Sequence, residues 1–236
     1  LCARRPNPEK SGFGQSRELL CVIWRGFSLI NNAMQFSNED TKRIQSFYQD
    51  LLKEHGRNNP RSLNWNSEYS QKMRFPILSQ VGTLEHCTIL DVGCGLGGMY
   101  EYLLETVKVF YYSGIDIVPE MVDGAKKRFT GVDFRVFDFS KDMSVNETFD
   151  YVLSSGALSH KIENSKKKYF AMIKRMFDIS KKGAAFNILD KNKHPDDDIY
   201  ASYSPIEIYE YCSGFTNKLT LRHDYLDYDF TLYLYH

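Results

Sequence analysis

One segment limits the folds open to this 236-residue chain more than any other: Ile89-Leu90-Asp91-Val92-Gly93-Cys94-Gly95-Leu96-Gly97-Gly98. Thr88-Ile89-Leu90 reads as a short buried strand, and the glycines break it at once. Met99, Tyr102, Leu103 and Val107 then give the apolar face of a helix. Glycines between a strand and a helix let the backbone turn sharply and approach a ligand, with a helix N-terminus behind them. The pattern repeats downstream. Phe110 to Ile117 reads as a strand ending at Asp116, and Pro119 opens a helix carrying Met121, Val122, Ala125 and Phe129. Val132 to Phe137 reads as a strand ending at Asp138, and Phe149 to Leu153 as another ending at Ser154-Ser155-Gly156. Strand and helix alternate to residue 189, which predicts a parallel sheet with right-handed crossovers and helices on both faces.

The rest of the chain frames this core. Ser37-Asn38-Glu39-Asp40 is a helix-start signal, and Ile44, Phe47, Tyr48, Leu51 and Leu52 continue one apolar face until Gly56. Residues 67 to 81 predict a second helix, kinked at Pro76. Tyr169, Met172, Ile173, Met176 and Phe177 stripe a helix from about Glu163 to Ser180, with Lys166-Lys167-Lys168 read as its solvated face and Lys181-Lys182-Gly183 as its stop. Ala184 to Leu189 is a strand and Pro205 to Cys212 a short helix. Leu219 to His223 and Phe230 to Tyr235 are strands joined too closely for a helical crossover, so they predict an antiparallel edge hairpin.

Composition excludes several classes. Lys plus Arg and Asp plus Glu are both 30, so no basic excess points to nucleic acid. The 5 cysteines are odd in number and none has CxxC spacing. That pattern predicts reduced thiols in a cytoplasm, with neither a disulfide framework nor a zinc site. No apolar run approaches the ~18 residues that span a bilayer. His194-Pro195-Asp196-Asp197-Asp198 has metal-type residues but reads as a solvated loop, so no metal is expected. Residues 1–33 lack a steady period and precede Met34, and they are expected to be an extension not native to the fold.

Gly93, Gly95 and Gly98 satisfy a dinucleotide GxGxxG pattern, and Asp116 suits either an NAD-type or an adenosyl-type ribose. Three features favour the adenosyl ligand. Asp91 lies two residues before the first glycine, where a carboxylate suits a cationic headgroup and does nothing for a pyrophosphate. Asp138 followed by Phe139 offers an acid and a ring to an adenine. The hairpin ends the chain where a dinucleotide enzyme usually continues.

With Asp91-Val92-Gly93-Cys94-Gly95-Leu96-Gly97, Asp116, Asp138 and the terminal hairpin, the chain resembles the class I S-adenosylmethionine-dependent methyltransferases. The resemblance implies a Rossmann-like α/β fold: a doubly wound seven-stranded sheet of order 3-2-1-4-5-7-6. It implies a helical cap at 34–84 and a cofactor-binding domain at 85–236. It further implies that Asp91, Gly93, Cys94, Gly95 and Gly97 hold the methionine end of S-adenosylmethionine, that Asp116 holds the ribose and that Ile117 packs on the adenine. Asp138 and Phe139 would meet the adenine edge and face, and Ser155 would line the methionine end. Residues 65–75 resemble the cap of bacterial members. There Arg74 would meet the cofactor carboxylate, and Trp65 or Tyr69 would cover the sulfonium. S-adenosylhomocysteine is the implied product.

A base is needed only where the acceptor must lose a proton, and His160 after the fourth strand is the first candidate, ahead of Asp190 and His194. Ser154-Ser155-Gly156-Ala157 stands where enzymes acting on base or glutamine amino groups carry an Asn/Asp-Pro-Pro-aromatic motif. That class is disfavoured, and the many aromatics point to a small-molecule acceptor, with no strong nucleic-acid signal and no membrane partner expected. A non-catalytic adenosyl-binding protein and an RNA or protein methyltransferase are the alternatives.

Overall fold

The computed structural model describes residues 34–56, 59–64, 68–141 and 147–236. The chain divides into two units, Leu1–Gln35 and Phe36–His236, and everything below belongs to the second. The expected extension at 1–33 and the expected cover Trp65 lie outside the described residues.

Seven strands form one sheet of order β3-β2-β1-β4-β5-β7-β6. They are β1 (Thr88–Val92), β2 (Tyr111–Asp116), β3 (Asp133–Val136), β4 (Phe149–Ser154), β5 (Ser180–Leu189), β6 (Leu219–Arg222) and β7 (Asp229–Tyr235). The first five run parallel, β1 lying between β2 and β4. β7 inserts antiparallel between β5 and β6. This is the expected order. The strands β1 and β4 are buried almost end to end, as a sheet covered on both faces requires.

Helix α1 (Asn38–His55) begins with a capping box. The Asp40 amide donates to Ser37 Oγ at 3.0 Å, and the Ser37 amide donates to Asp40 Oδ2 at 2.9 Å. Gly56, at φ +73°, ends the helix. The single helix expected over 67–81 is two short ones, α2 (Glu68–Lys72) and α3 (Arg74–Ser79). Pro76 falls in the first turn of α3, where its missing N–H breaks no helical bond. The crossovers are α4 (Gly98–Thr106), α5 (Pro119–Arg128) and α6 (Ser165–Ile179), and α7 (Pro205–Ser213) precedes the hairpin.

The stripe of α6 is buried as its spacing predicts, with Tyr169, Ile173 and Met176 fully enclosed. Truncating Ile173 to Ala would cost about 2–5 kcal/mol. Two expectations at the ends of α6 are corrected. Lys168 is not solvated: it is buried, and its ammonium meets Asp40 Oδ2 of α1 at 2.5 Å. Gly183 does not stop the helix. The chain turns at Ser180 directly into β5, where Gly183 pairs with Tyr235. A side chain there would lie 2.5 Å from the Leu234 carbonyl oxygen, so close strand packing sets the residue.

Candidate active site

The C-terminal ends of the parallel strands open into a cavity of about 350 Å³, at the point where the order reverses between β1 and β4. The glycine turn forms its floor. Gly93 has φ +80°, and a Cβ on it would lie 2.3 Å from the Cβ of Ala157. Gly97, at φ +81°, is the left-handed residue before α4, with Phe129 packed against it. It shapes the turn and does not line the cavity, whereas Gly93, Cys94 and Gly95 do. The Gly93 and Cys94 amides donate to the Ile115 carbonyl at 2.8 and 3.0 Å, which ties the turn to β2.

Three carboxylates were expected at the strand ends, and two face the cavity. Asp91 is buried and accepts the Tyr112 hydroxyl at 2.6 Å. Burial pushes its pKa up to about 7, and the Tyr112 hydrogen bond pulls against that rise. Asp116 accepts the Gly95 amide on one oxygen and the Val118 amide on the other, both at 2.9 Å. Burial also raises its pKa against those bonds. A carboxylate has about four lone-pair sites, so Asp116 retains room for two hydroxyl donors. Asp138 does not line the cavity. It is drawn into its own turn, where Oδ1 accepts the Ser140 amide at 3.0 Å and the Ser140 hydroxyl at 2.6 Å. The same turn brings Phe139 onto the wall, beside Ile117, Phe137 and Met121. The Ile117 carbonyl accepts Gln45 Nε2 from α1 at 2.8 Å.

The cap residues divide in the same way. Arg74 lines the cavity and is buried, with Nε on Asp229 of β7 and Nη1 on the Ser70 carbonyl. Tyr69 is 67% exposed and lies away from the cavity, because α2 turns it to solvent. Cys94 is buried in the turn, and burial raises its thiol well above the usual range. Ser155 lines the cavity beyond β4.

His160 lines the cavity and is buried, with rings of Phe47, Tyr48 and Tyr200 at 5.1, 6.2 and 6.5 Å. Burial, aided by the Arg43 charge, lowers its pKa to about 4. His194 also lines the cavity, whereas Asp190 closes a turn with Asn192 and does not. Sequence reasoning missed Tyr48, Asn187, Tyr200 and Asp229 in the cavity lining. A polar residue inside the apolar run Ala184 to Leu189 was the available signal for Asn187; Asp229 carried none. Among the described residues, no cluster of three or more His, Cys, Asp or Glu side chains is placed to hold a metal ion. Nor is any helix there long and apolar enough to cross a membrane.

A sheet of this order, with a glycine turn after its first strand and an acid closing its second, defines the class I S-adenosylmethionine-dependent methyltransferases. Known proteins carry the same assignment. The family described as "Methyltransferase domain" matches residues 89–183. A Mycobacterium tuberculosis protein named as a methyltransferase is 31% identical over 161 residues, covering 64% of this chain and 95% of its own. This chain belongs to that family and is an S-adenosylmethionine-dependent methyltransferase. Other curated relatives match over less of their length. The phosphoethanolamine N-methyltransferase of Plasmodium falciparum is 33% identical over 98 residues, 40% of this chain and 36% of its own. Among solved structures, the N-methyltransferase NodS of Bradyrhizobium japonicum, in complex with S-adenosylhomocysteine, superposes with TM-score 0.58 at 16% identity. That superposition covers 80% of this chain and 97% of NodS. The magnesium protoporphyrin IX methyltransferase of Synechocystis with bound S-adenosylmethionine gives TM-score 0.57 at 15% identity, covering 81% and 96%.

Proposed function

We propose that this enzyme methylates a small molecule enclosed within the cavity. One observation carries the reading: a single cavity reaches from the glycine turn and Asp116 to His160 beneath Tyr48 of α1. Donor and acceptor can therefore meet out of water, in the fixed geometry that a displacement reaction needs.

The residues present fit the cofactor. The turn at Gly93 leaves no room for a side chain, so its backbone is the surface offered to a ligand. Two buried or half-buried carboxylates, Asp91 and Asp116, suit a cationic ligand bearing a ribose. In this reading Asp91 and the backbone of Gly93, Cys94 and Gly95 hold the methionine end, with Ser155 nearby. Asp116 takes the ribose hydroxyls. Ile117 and Phe139 enclose the adenine. Arg74, fixed by Asp229, faces the methionine carboxylate. When bound, the cofactor supplies a methyl carbon already activated by its sulfonium. His160 faces the acceptor. Asp138 serves by building the turn that presents Phe139, and Tyr69 has no part in the site.

The test is a transfer assay with methyl-labelled S-adenosylmethionine, offering cell metabolites, total RNA and total protein separately. Label in the low-molecular-mass fraction is expected. Label in RNA or protein alone would overturn the small-molecule reading.

A further inference from the structure

The wall around His160 has a chemistry of its own. Ten buried side-chain nitrogen and oxygen atoms lack a hydrogen-bond partner among the described residues. Six of them are on this one cavity: Ser155 Oγ, Ser159 Oγ, both ring nitrogens of His160, Asn187 Nδ2 and His194 Nδ1. Ser159, His160 and Asn187 are 3%, 6% and 1% exposed, so their side chains are enclosed. A buried polar atom left without a partner forfeits its hydration and gains nothing in return. Their concentration on one cavity marks groups whose partner arrives with a ligand.

Every one of these atoms belongs to an uncharged side chain or to a histidine. His160 is neutral at physiological pH because burial and Arg43 disfavour its proton. Fixed charge lies elsewhere. Asp91 and Asp116 stand at the ends of β1 and β2, beside the glycine turn. Arg74 is the only Lys or Arg side chain lining the cavity among the described residues, and it is bonded to Asp229. Asp197 is exposed and accepts the Ile199 and Tyr200 amides. Arg43 is felt at His160 but does not line the cavity and donates from Nη2 to the Asp198 carbonyl, so an anion placed beside His160 would lose hydration without a cation in contact with it.

The donor and acceptor pattern is equally specific. Asn187 Oδ1 accepts the Gly156 amide at 2.8 Å, which leaves Nδ2 as a donor. A neutral imidazole keeps one nitrogen lone pair able to accept. Aromatic rings of Phe47, Tyr48 and Tyr200 surround that imidazole.

Accepting the cavity as a methyl-transfer site, we propose that its acceptor subsite selects an uncharged, flat, apolar molecule bearing an O–H or N–H. That group donates to a ring nitrogen of His160, and Ser159 and Asn187 serve the molecule's other polar atoms. His160 is then a specificity-determining residue.

Three probes of one shape separate the possibilities: 2-naphthol, 2-naphthoate and 2-methoxynaphthalene. Each is titrated into the full chain saturated with S-adenosylhomocysteine at pH 7. We expect 2-naphthol to bind about tenfold or more tightly than either analogue, the equivalent of about one charge-free hydrogen bond. His160→Phe should erase the preference over 2-methoxynaphthalene. His160→Gln, which restores an acceptor oxygen, should recover part of it and guards against a folding defect. Equal affinities, a preference for 2-naphthoate, no saturable binding of any probe, or a preference unchanged in His160→Phe would each overturn the assignment. The titration of S-adenosylhomocysteine itself separates the two levels. If it binds and the probes do not discriminate, only the subsite assignment fails. If it does not bind, the methyl-transfer reading fails and takes the subsite with it.

Discussion

Tyr112 of β2 donates its hydroxyl proton to Asp91 of β1 at 2.6 Å, across two buried neighbouring strands. This bond opposes the burial that governs the protonation of the acid nearest the glycine turn. Burial favours the neutral carboxyl, the phenol favours the carboxylate, and the balance leaves Asp91 titrating near 7. A cationic ligand headgroup at that position would draw the proton off.

Binding of the methyl donor should therefore be linked to proton release. Affinity should fall by about tenfold per pH unit below about 7, because the protonated acid must first ionise. Calorimetry in two buffers of different ionisation enthalpy measures the proton directly. Asp91→Asn should bind more weakly and lose the pH dependence. Affinity that stays flat between pH 5.5 and pH 8 would contradict the linkage.

Gly93→Ala should abolish cofactor binding more completely than its effect on folding would suggest. The residue has φ +80°, and its new methyl would lie 2.3 Å from the Cβ of Ala157. The backbone strain alone amounts to about 1–2 kcal/mol, and the clash must shift the turn or the segment after β4. Retained binding in a folded variant would show that the turn does not contact the ligand.

Lys168 and Asp40 form a buried ion pair that fastens α1, the roof over the cavity, to α6. Burial works against the ionised Asp40, but Lys168 and the Ser37 and Glu163 amides outweigh it and hold its carboxyl below the ordinary range. Asp40→Ala leaves an uncompensated buried ammonium and should cost about 3–5 kcal/mol. Asp40→Ala combined with Lys168→Met should recover much of that loss. Urea midpoints of the two variants decide, and equal losses would show that the pairing does not carry the effect.

His160 makes stability depend on pH with a known sign. Its folded pKa of about 4 lies below the ordinary 6.5, so its contribution is present above 6.5 and lost as pH falls toward 4. The loss is at most about 3 kcal/mol. Asp91 acts oppositely, since its raised value makes its contribution full below 3.8 and lost as pH rises through about 7. His160→Phe should therefore gain stability relative to the wild type between pH 7 and pH 5. Parallel urea curves at both pH values test this, and no relative gain would mean that the imidazole is protonated in the folded chain.

The parallel sheet and the glycine turn were legible because both follow from short-range rules, strand–helix alternation and the backbone freedom of glycine, whereas the sheet order came with the family resemblance. Asp91 and Asp116 were legible because a strand end fixes where its side chain goes. Asp138 stands off the cavity lining because a carboxylate two residues before a serine can satisfy itself in a turn, which strand position does not reveal. Lys168 looked solvated because its burial depends on an acid 128 residues away. Tyr69 and Gly183 sit elsewhere than the sequence suggested for related reasons, since the break between α2 and α3 and the pairing of β5 with β7 are tertiary facts. The His160 wall was half legible. The histidine was found from its place after β4, but Asn187, Tyr200 and Tyr48 come together only when the helices fold over the strand ends.

Calorimetric titration of the full chain with S-adenosylhomocysteine, and separately with NADH, tests the central claim most directly. One saturable site for S-adenosylhomocysteine, weakened by Asp116→Ala, and no site for NADH are expected. Binding of NADH without binding of S-adenosylhomocysteine would contradict the account, and affinity unchanged in Asp116→Ala would refute the ribose assignment.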